Sequence, residues 1–272
     1  MNIGIIGYGV VGKAAENTLK EGYKVFKYDK FQKLDDFRNI VKCDIVFIMV
    51  PTPFDCSKNK VDDSAIIENL SKLSSLQYKG LIIIKSTVPP GSCEKYSKDF
   101  DLNISFNPEF LRESTTPNED FKNQDTIVVG TENLKDFNLI KKMYEKVSVP
   151  HAKYFKTTTK EAEMIKCAQN TMLASRVALA NLIYHACKNN NIKYSKVKEI
   201  AFDRFKIIGP HMTLVPGPDG ERGFGGKCLP KDIRAFSTVY NSKLLQEIIA
   251  YNDTLRDDLS NFLDNFGELD DK

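Results

Sequence analysis

The sequence predicts an α/β chain: a doubly wound parallel sheet in the first half, then a long helix and an all-α second domain. Three observations carry this. Near-continuous apolar runs such as Ile45-Val-Phe-Ile-Met-Val50 and Leu81-Ile-Ile-Ile84 suit strands covered on both faces, as in a parallel sheet. The chain opens with an apolar strand that runs into Gly7-x-Gly9-x-x-Gly12 and then a helical pattern; the flanking strand and helix give a glycine triplet its meaning. From Thr157 the apolar spacing becomes that of one long helix reaching Ala186, which Thr158 or Thr159 can cap. The boundary is expected near residue 150, giving domains 1–150 and 151–272.

The first strand and glycine turn lead into a helix expected over Lys13–Lys20, and a second strand, Tyr23–Tyr28, ends at Asp29. In Rossmann-like sheets an acid at that point accepts hydrogen bonds from an adenosine ribose, while the first helix's N-terminus holds the pyrophosphate. Asp29 favours NAD over NADP, because a 2′-phosphate would meet its charge, although Lys30 and Lys33 lie close by. Gly7, Tyr8, Gly9, Val10, Val11, Gly12 and Asp29 are the candidate cofactor contacts. The bland alternative is a glycine turn serving only close helix packing.

Further strands are expected over Asp44–Val50, Leu81–Lys85, Asn103–Phe106 and Thr126–Gly130. Ligands in such sheets lie beyond the carboxyl ends of the strands. Three of those ends carry Pro51-Thr-Pro53, Ser86-Thr-Val-Pro-Pro-Gly91 and Asn107-Pro-Glu-Phe-Leu-Arg-Glu113. Prolines stiffen such loops, and Pro51, Thr52 and Thr87 are candidate ligand contacts. Glu109 and Glu113 share a face if their segment is helical; the plain alternative for each is a solvated acid.

In the long helix, Lys166 and Asn170 stand one turn apart. A helical lysine is commonly solvated, but Ile165, Cys167 and an Asn on the same face suggest a pocket. A short helix follows around Lys196–Phe202, then the loop Pro210–Arg222, then Gly223-Phe-Gly-Gly-Lys-Cys228-Leu-Pro-Lys-Asp232. Glycines give a reactive thiol clearance, and a helix starting near Pro230 would put Asp232 on the same side as Cys228. Cys228 is thus a candidate nucleophile, against the alternative of a buried structural cysteine. Helices over Lys231–Tyr240 and Lys243–Phe262 and an acidic tail complete the chain.

With 42% hydrophobic and 28% charged residues and a net charge of +3 over 272 residues, the composition is that of a soluble globular protein. No basic stripe interleaved with aromatics points to nucleic acid, and no apolar run approaches the roughly 20 residues that span a bilayer. The amino terminus begins directly in a strand pattern, with no leader. Six scattered cysteines without a CxxC pair argue against zinc and a disulfide framework, and for a cytoplasmic chain with reduced thiols.

Taken in order, GYGVVG with Asp29, VPTP, STVPPG, NPEFLRE, the Lys166/Asn170 helix and GFGGKCLPKD span residues 1 to about 236. This series resembles the nucleotide-sugar 6-dehydrogenases, the UDP-glucose/GDP-mannose dehydrogenase family. The resemblance implies that Cys228 is the nucleophile. Lys166, Asn170 and Asp232 would complete the catalytic centre, and Thr87 and Glu113 would position water or move protons. Glu109, Phe110, Leu111, Arg112, Glu113, Lys166, Asn170 and Gly225 would touch the sugar nucleotide. Thr87, Glu113 and Lys231 would also reach NAD, alongside Pro51 and Thr52.

The reaction implied is the NAD-dependent, four-electron oxidation of a C6 alcohol to the uronate, with UDP-glucose as substrate, through a cysteine thiohemiacetal and thioester. The family also pairs subunits around the long helix, and Met164, Ile165, Met172, Leu173, Val177, Leu179, Leu182 and Ile183 leave it apolar on more than one face; a homodimer is expected. Three departures stand out. Family members usually continue with a third domain, Asp29 to Pro51 is short, and Asn181-Leu182 stands where Asn-Glu is common. Two other readings remain: a single-step β-hydroxyacid-type dehydrogenase without a cysteine, and a degenerate nucleotide-sugar-binding protein.

Overall fold

The computed structural model describes residues 1–112, 116–204, 214–239 and 242–256. They form two compact units, Met1–Lys166 and Cys167–Lys272. The first unit runs β1 (Asn2–Ile6), α1 (Val10–Leu19), β2 (Lys24–Tyr28), α2 (Phe37–Ile40), β3 (Ile45–Ile48), β4 (Phe54–Asp55), β5 (Lys60–Val61) and α3 (Ser64–Ser75). It continues with β6 (Leu81–Ile84), α4 (Ser92–Phe100), β7 (Ile104–Phe106), α5 (Pro117–Lys122), β8 (Thr126–Gly130), α6 (Leu134–Glu145) and β9 (Lys153–Thr157).

Seven strands make one sheet in the order β2-β1-β3-β6-β7-β8-β9, with β4 and β5 as a separate hairpin. Both faces are buried, as the apolar runs require. Val46, Ile48, Ile82 and Ile84 point into one layer with α3 and α4 residues Leu70, Leu73 and Tyr96. Ile45, Phe47, Leu81 and Ile83 point into the other with Leu19, Ile140 and Tyr144. Each fully buried aliphatic side chain contributes about 1.5–3 kcal/mol. The edge strands β2 and β9 each carry two lysines (Lys24 and Lys27, Lys153 and Lys156), and no inner strand carries one.

The sheet is parallel, as expected, except at one pair. The pairs from β2 through β7 are parallel, but β7 and β8 meet antiparallel through Phe106 and Gly130. Among the described residues, the β7–β8 connection contains only the six-residue α5, which docks on α1, with Asn17 Nδ2 donating to Asn118 Oδ1 at 3.1 Å. A parallel return needs a crossover spanning the sheet, and this short helix does not supply one. Because β9 pairs with β8, residues 153–157 belong with the sheet, and the division falls later than residue 150.

The long helix α7 (Thr159–Asn189) begins in the first unit and continues into the second. Its start is a reciprocal cap: Thr158 N–H donates to Glu161 Oε2 at 2.8 Å, and Glu161 N–H to Thr158 Oγ1 at 3.1 Å. The second unit adds α8 (Tyr194–Lys198), a π-turn over Glu199–Asp203, α9 (Leu229–Val239) and α10 (Lys243–Leu255). Ala174, Ala178, Phe224, Ile233 and Leu245 form its core. Residues 257–262, expected to extend the last helix, lie outside the described residues. Among the described residues, no helix is long and apolar enough to cross a membrane.

Candidate functional site

The glycine turn follows β1 directly. Gly7 has φ +93°, and a Cβ there would lie 2.4 Å from the Met49 carbonyl oxygen; one on Gly12 would lie 2.2 Å from that of Gly7. Neither position admits a side chain. Gly9 differs, since a Cβ would meet nothing within 4 Å. That open space adjoins the N-terminus of the ten-residue α1, where amides and peptide dipoles favour an anion. Asp29 lies beside the turn: its carboxylate accepts from Tyr8 N–H and Phe31 N–H, both at 2.9 Å. The Tyr8 hydroxyl donates to Glu16, which also pairs with Lys27. Open backbone, a helix start and an acid at the end of β2 fit a dinucleotide's diphosphate and ribose.

Beyond the strand ends, two loops are stitched together. Thr52 Oγ1 donates to the Thr87 carbonyl at 2.8 Å, and Ser86 Oγ to that of Val50 at 2.6 Å. Thr52 is buried, Thr87 half-buried and Pro51 exposed. The segment after β7 is not helical through residue 112, so the shared helical face expected for Glu109 and Glu113 is absent up to that point; Glu113 lies outside the described residues. Glu109 curls onto its own loop, Oε1 accepting from Phe110 N–H at 2.9 Å and Leu111 N–H at 3.1 Å. Its Oε2 lies 3.1 Å from Lys85 Nζ. Arg112 reaches Asp120 through Nε at 2.9 Å and Nη2 at 2.7 Å, and this guanidinium holds the Asp120 carboxyl down at about 2.

Lys85 is a polar group that the sequence reading did not single out. Its side chain is fully buried, with Nζ donating to Asn107 Oδ1 at 2.8 Å and Tyr144 Oη at 3.4 Å. Burial lowers the lysine's pKa, opposed by Glu109, and raises that of the Tyr144 phenol. Glu163 was also missed. This fully buried acid on α7 accepts from the Gly91 and Cys93 amides at the start of α4. One turn later Lys166, 8% exposed, holds its ammonium 5.4 Å from the centre of the Phe110 ring.

In the second unit, Cys228 is partly exposed and immediately precedes α9. Its carbonyl accepts the first helical bond, from Asp232 N–H at 2.8 Å, so the expected turn from cysteine to acid is present. Asp232 is fully buried, and its carboxylate accepts from the Asn170 amide and the Lys231 ammonium. The glycine-rich loop is held by two buried asparagines that the sequence reading gave no part in the site. Asn181 Oδ1 accepts Gly223 N–H at 3.1 Å. Asn252 pairs with both backbone groups of Phe224, accepting its N–H at 2.6 Å and donating to its carbonyl at 3.2 Å. The guanidinium of Arg256 occupies the space a side chain at Gly225 would need. No group of metal ligands occurs among the described residues.

A glycine-turn sheet followed by a helical unit with a cysteine at a helix start is the Rossmann-like dehydrogenase fold. Within that class, the NAD binding domain of the UDP-glucose/GDP-mannose dehydrogenase family matches residues 13–148 and its central domain residues 160–254. The chain belongs to this family, and NAD is the cofactor of its first domain. It is 36% identical over 219 residues to a UDP-glucose 6-dehydrogenase of Rickettsia bellii, covering 76% of this chain and 48% of that one. The chain spans about half the length of the curated relatives it matches. Among solved structures, a UDP-glucose dehydrogenase from Pyrobaculum islandicum superposes with TM-score 0.80 at 24% identity, over 93% of this chain and 68% of that one. A UDP-D-ManNAc dehydrogenase from Pyrococcus horikoshii gives 0.79 at 21%, over 94% and 69%. At that identity the likeness is one of fold.

Proposed function

We propose that this chain carries out the NAD-dependent oxidation of a nucleotide sugar's C6 alcohol to the carboxylate, with UDP-glucose as substrate, in the cytoplasm. The observation that carries this reading is the turn at the start of α9, where a partly exposed thiol precedes a fully buried carboxylate tied to Asn170 and Lys231. When bound, NAD would supply the hydride acceptor. Once C6 is an aldehyde, the Cys228 sulfur adds to it, and the helix start favours the anionic charge involved. Lys166 and Asn170 stabilise the resulting oxyanion. Loss of a second hydride leaves a thioester. Water deprotonated by Asp232 attacks it, and the thiolate departs. Two hydrides leave the carbon and one water enters.

Met172, Leu179 and Leu182 on α7 are 64%, 57% and 53% exposed, a spacing that puts them on one stripe. This supports a homodimer paired along α7. The test of function is NADH release from a panel of nucleotide sugars, counted per sugar consumed. Wild type should give two NADH per uronate, and Cys228→Ser should lose turnover by orders of magnitude while binding both ligands. One NADH with an unimpaired serine variant would overturn the cysteine mechanism in favour of a single-step dehydrogenase. Tight binding with no NADH from either protein would reduce the chain to a binding role.

A further inference from the structure

Lys85 lies at the carboxyl end of β6 and takes no part in the mechanism above, yet its side chain is fully buried and reaches three others. Its ammonium meets Asn107 and Glu109 on the loop after β7, and Tyr144 on α6. Asn107 is itself anchored, its amide donating to the Val128 carbonyl of β8 at 2.7 Å and its Oδ1 accepting from the Tyr144 hydroxyl at 2.6 Å. This frame is buried. Glu109 connects it to the loop beyond. The Oε2 of Glu109 is buried and lies 3.1 Å from the Lys85 ammonium. Its Oε1 accepts the N–H groups of Phe110 and Leu111. The next contact along the chain is the Phe110 ring under the Lys166 ammonium.

We infer that Lys85 is a positioning residue for Lys166, acting through Glu109 and Phe110. The inference rests on the proposed role of Lys166 at the oxyanion. The Lys85 charge draws Glu109 down against the strand ends, and Glu109 then fixes the two amides that set the Phe110 ring. A cation is favoured over an aromatic face, so the ring helps to hold the Lys166 ammonium where it lies. Loss of the Lys85 charge leaves a buried carboxylate without its counter-ion. Glu109 then turns toward water, and the Phe110–Leu111 backbone follows.

The test compares wild type with Lys85→Met in the full chain. In hydrogen exchange, the Phe110 and Leu111 amides should exchange at least tenfold faster in Lys85→Met, a loss of the protection a hydrogen bond confers, with β1 and β3 amides unchanged. This readout needs no turnover, so it stands even if the proposed reaction fails in wild type. In turnover, kcat should fall about 10- to 100-fold, the effect of an ångström-scale misplacement, with NAD affinity within about twofold. Combining Lys85→Met with Glu109→Gln should cost no more than Glu109→Gln alone, because the lysine acts through that carboxylate. Should Lys85→Met fail to fold, Lys85→Gln, which can still donate to Asn107, takes its place with the same expectations. Unchanged exchange at Phe110 and Leu111, or losses that simply add, would overturn the inference.

Discussion

Asn252 offers a direct measure of how tightly the cysteine loop is clamped. Its amide satisfies both the N–H and the carbonyl of Phe224, and Phe224 and Asn252 are 1% and 3% exposed. Asn252→Ala leaves both backbone groups without partners where water has little access. Each stranded group costs about 1–3 kcal/mol, so the variant should be destabilised by about 2–6 kcal/mol. Asn252→Asp should lose at least as much, because, although it still accepts from Phe224 N–H, it buries a charge and turns a donor into an oxygen facing a carbonyl. Urea titration followed by circular dichroism measures the change. Alkylation of Cys228, counted by mass spectrometry against the exposed Cys56 as internal reference, should speed up as the loop loosens. A loss below about 0.5 kcal/mol for Asn252→Ala, the range of ordinary surface changes, with unaltered alkylation, would refute the clamp.

The glycine turn can be separated into its two duties. Gly12→Ala forces a methyl against the Gly7 carbonyl and should cost about 1–3 kcal/mol of stability together with NAD binding. Gly9→Ala has open space and should keep its melting temperature while NAD affinity falls at least about tenfold, since the methyl stands where the diphosphate would approach. Calorimetric titration and thermal melts distinguish them, and equal NAD binding by wild type and Gly9→Ala would contradict the placement. Burial raises the Glu163 carboxyl above its ordinary 4.5, outweighing the amides of Cys93 and Gly91. A carboxyl that holds its proton more tightly when folded contributes most below pH 4.5 and loses that contribution as pH rises through its folded value. Glu163→Gln should therefore flatten the fall in urea midpoint above pH 4.5; an unchanged slope would contradict it.

Continuous apolar strands and a glycine turn made the first unit legible, because burial on both faces and a positive φ leave a local imprint. The hairpin β4–β5 has two residues per strand and left no such mark. The reversal at β8 depends on how a short helix docks on α1, which no local pattern encodes. Within the candidate site, the turn from Cys228 to Asp232 was legible because it is local. Its supports were not. Glu163 acts on residues 70 and 72 positions earlier, and Asn252 on one 28 positions away. In sequence, a buried Lys85 reads simply as the polar residue that ends a strand.

The lysines on β2 and β9 bear on behaviour in a crowded solution rather than on ligands. An edge strand is an open row of backbone donors and acceptors, onto which a strand of another molecule can add. Here one flank reads Lys-Val-Phe-Lys-Tyr and the other Lys-Tyr-Phe-Lys-Thr, with Phe155 on the second 47% exposed. Stacking two such flanks would bring four like charges into a narrow ribbon and strip water from them. The apolar content that drives the sheet to form is thereby kept from driving it to grow, and the protection is electrostatic, so it weakens as added salt shortens the Debye length from about 10 Å at 0.1 M toward about 3 Å at 1 M.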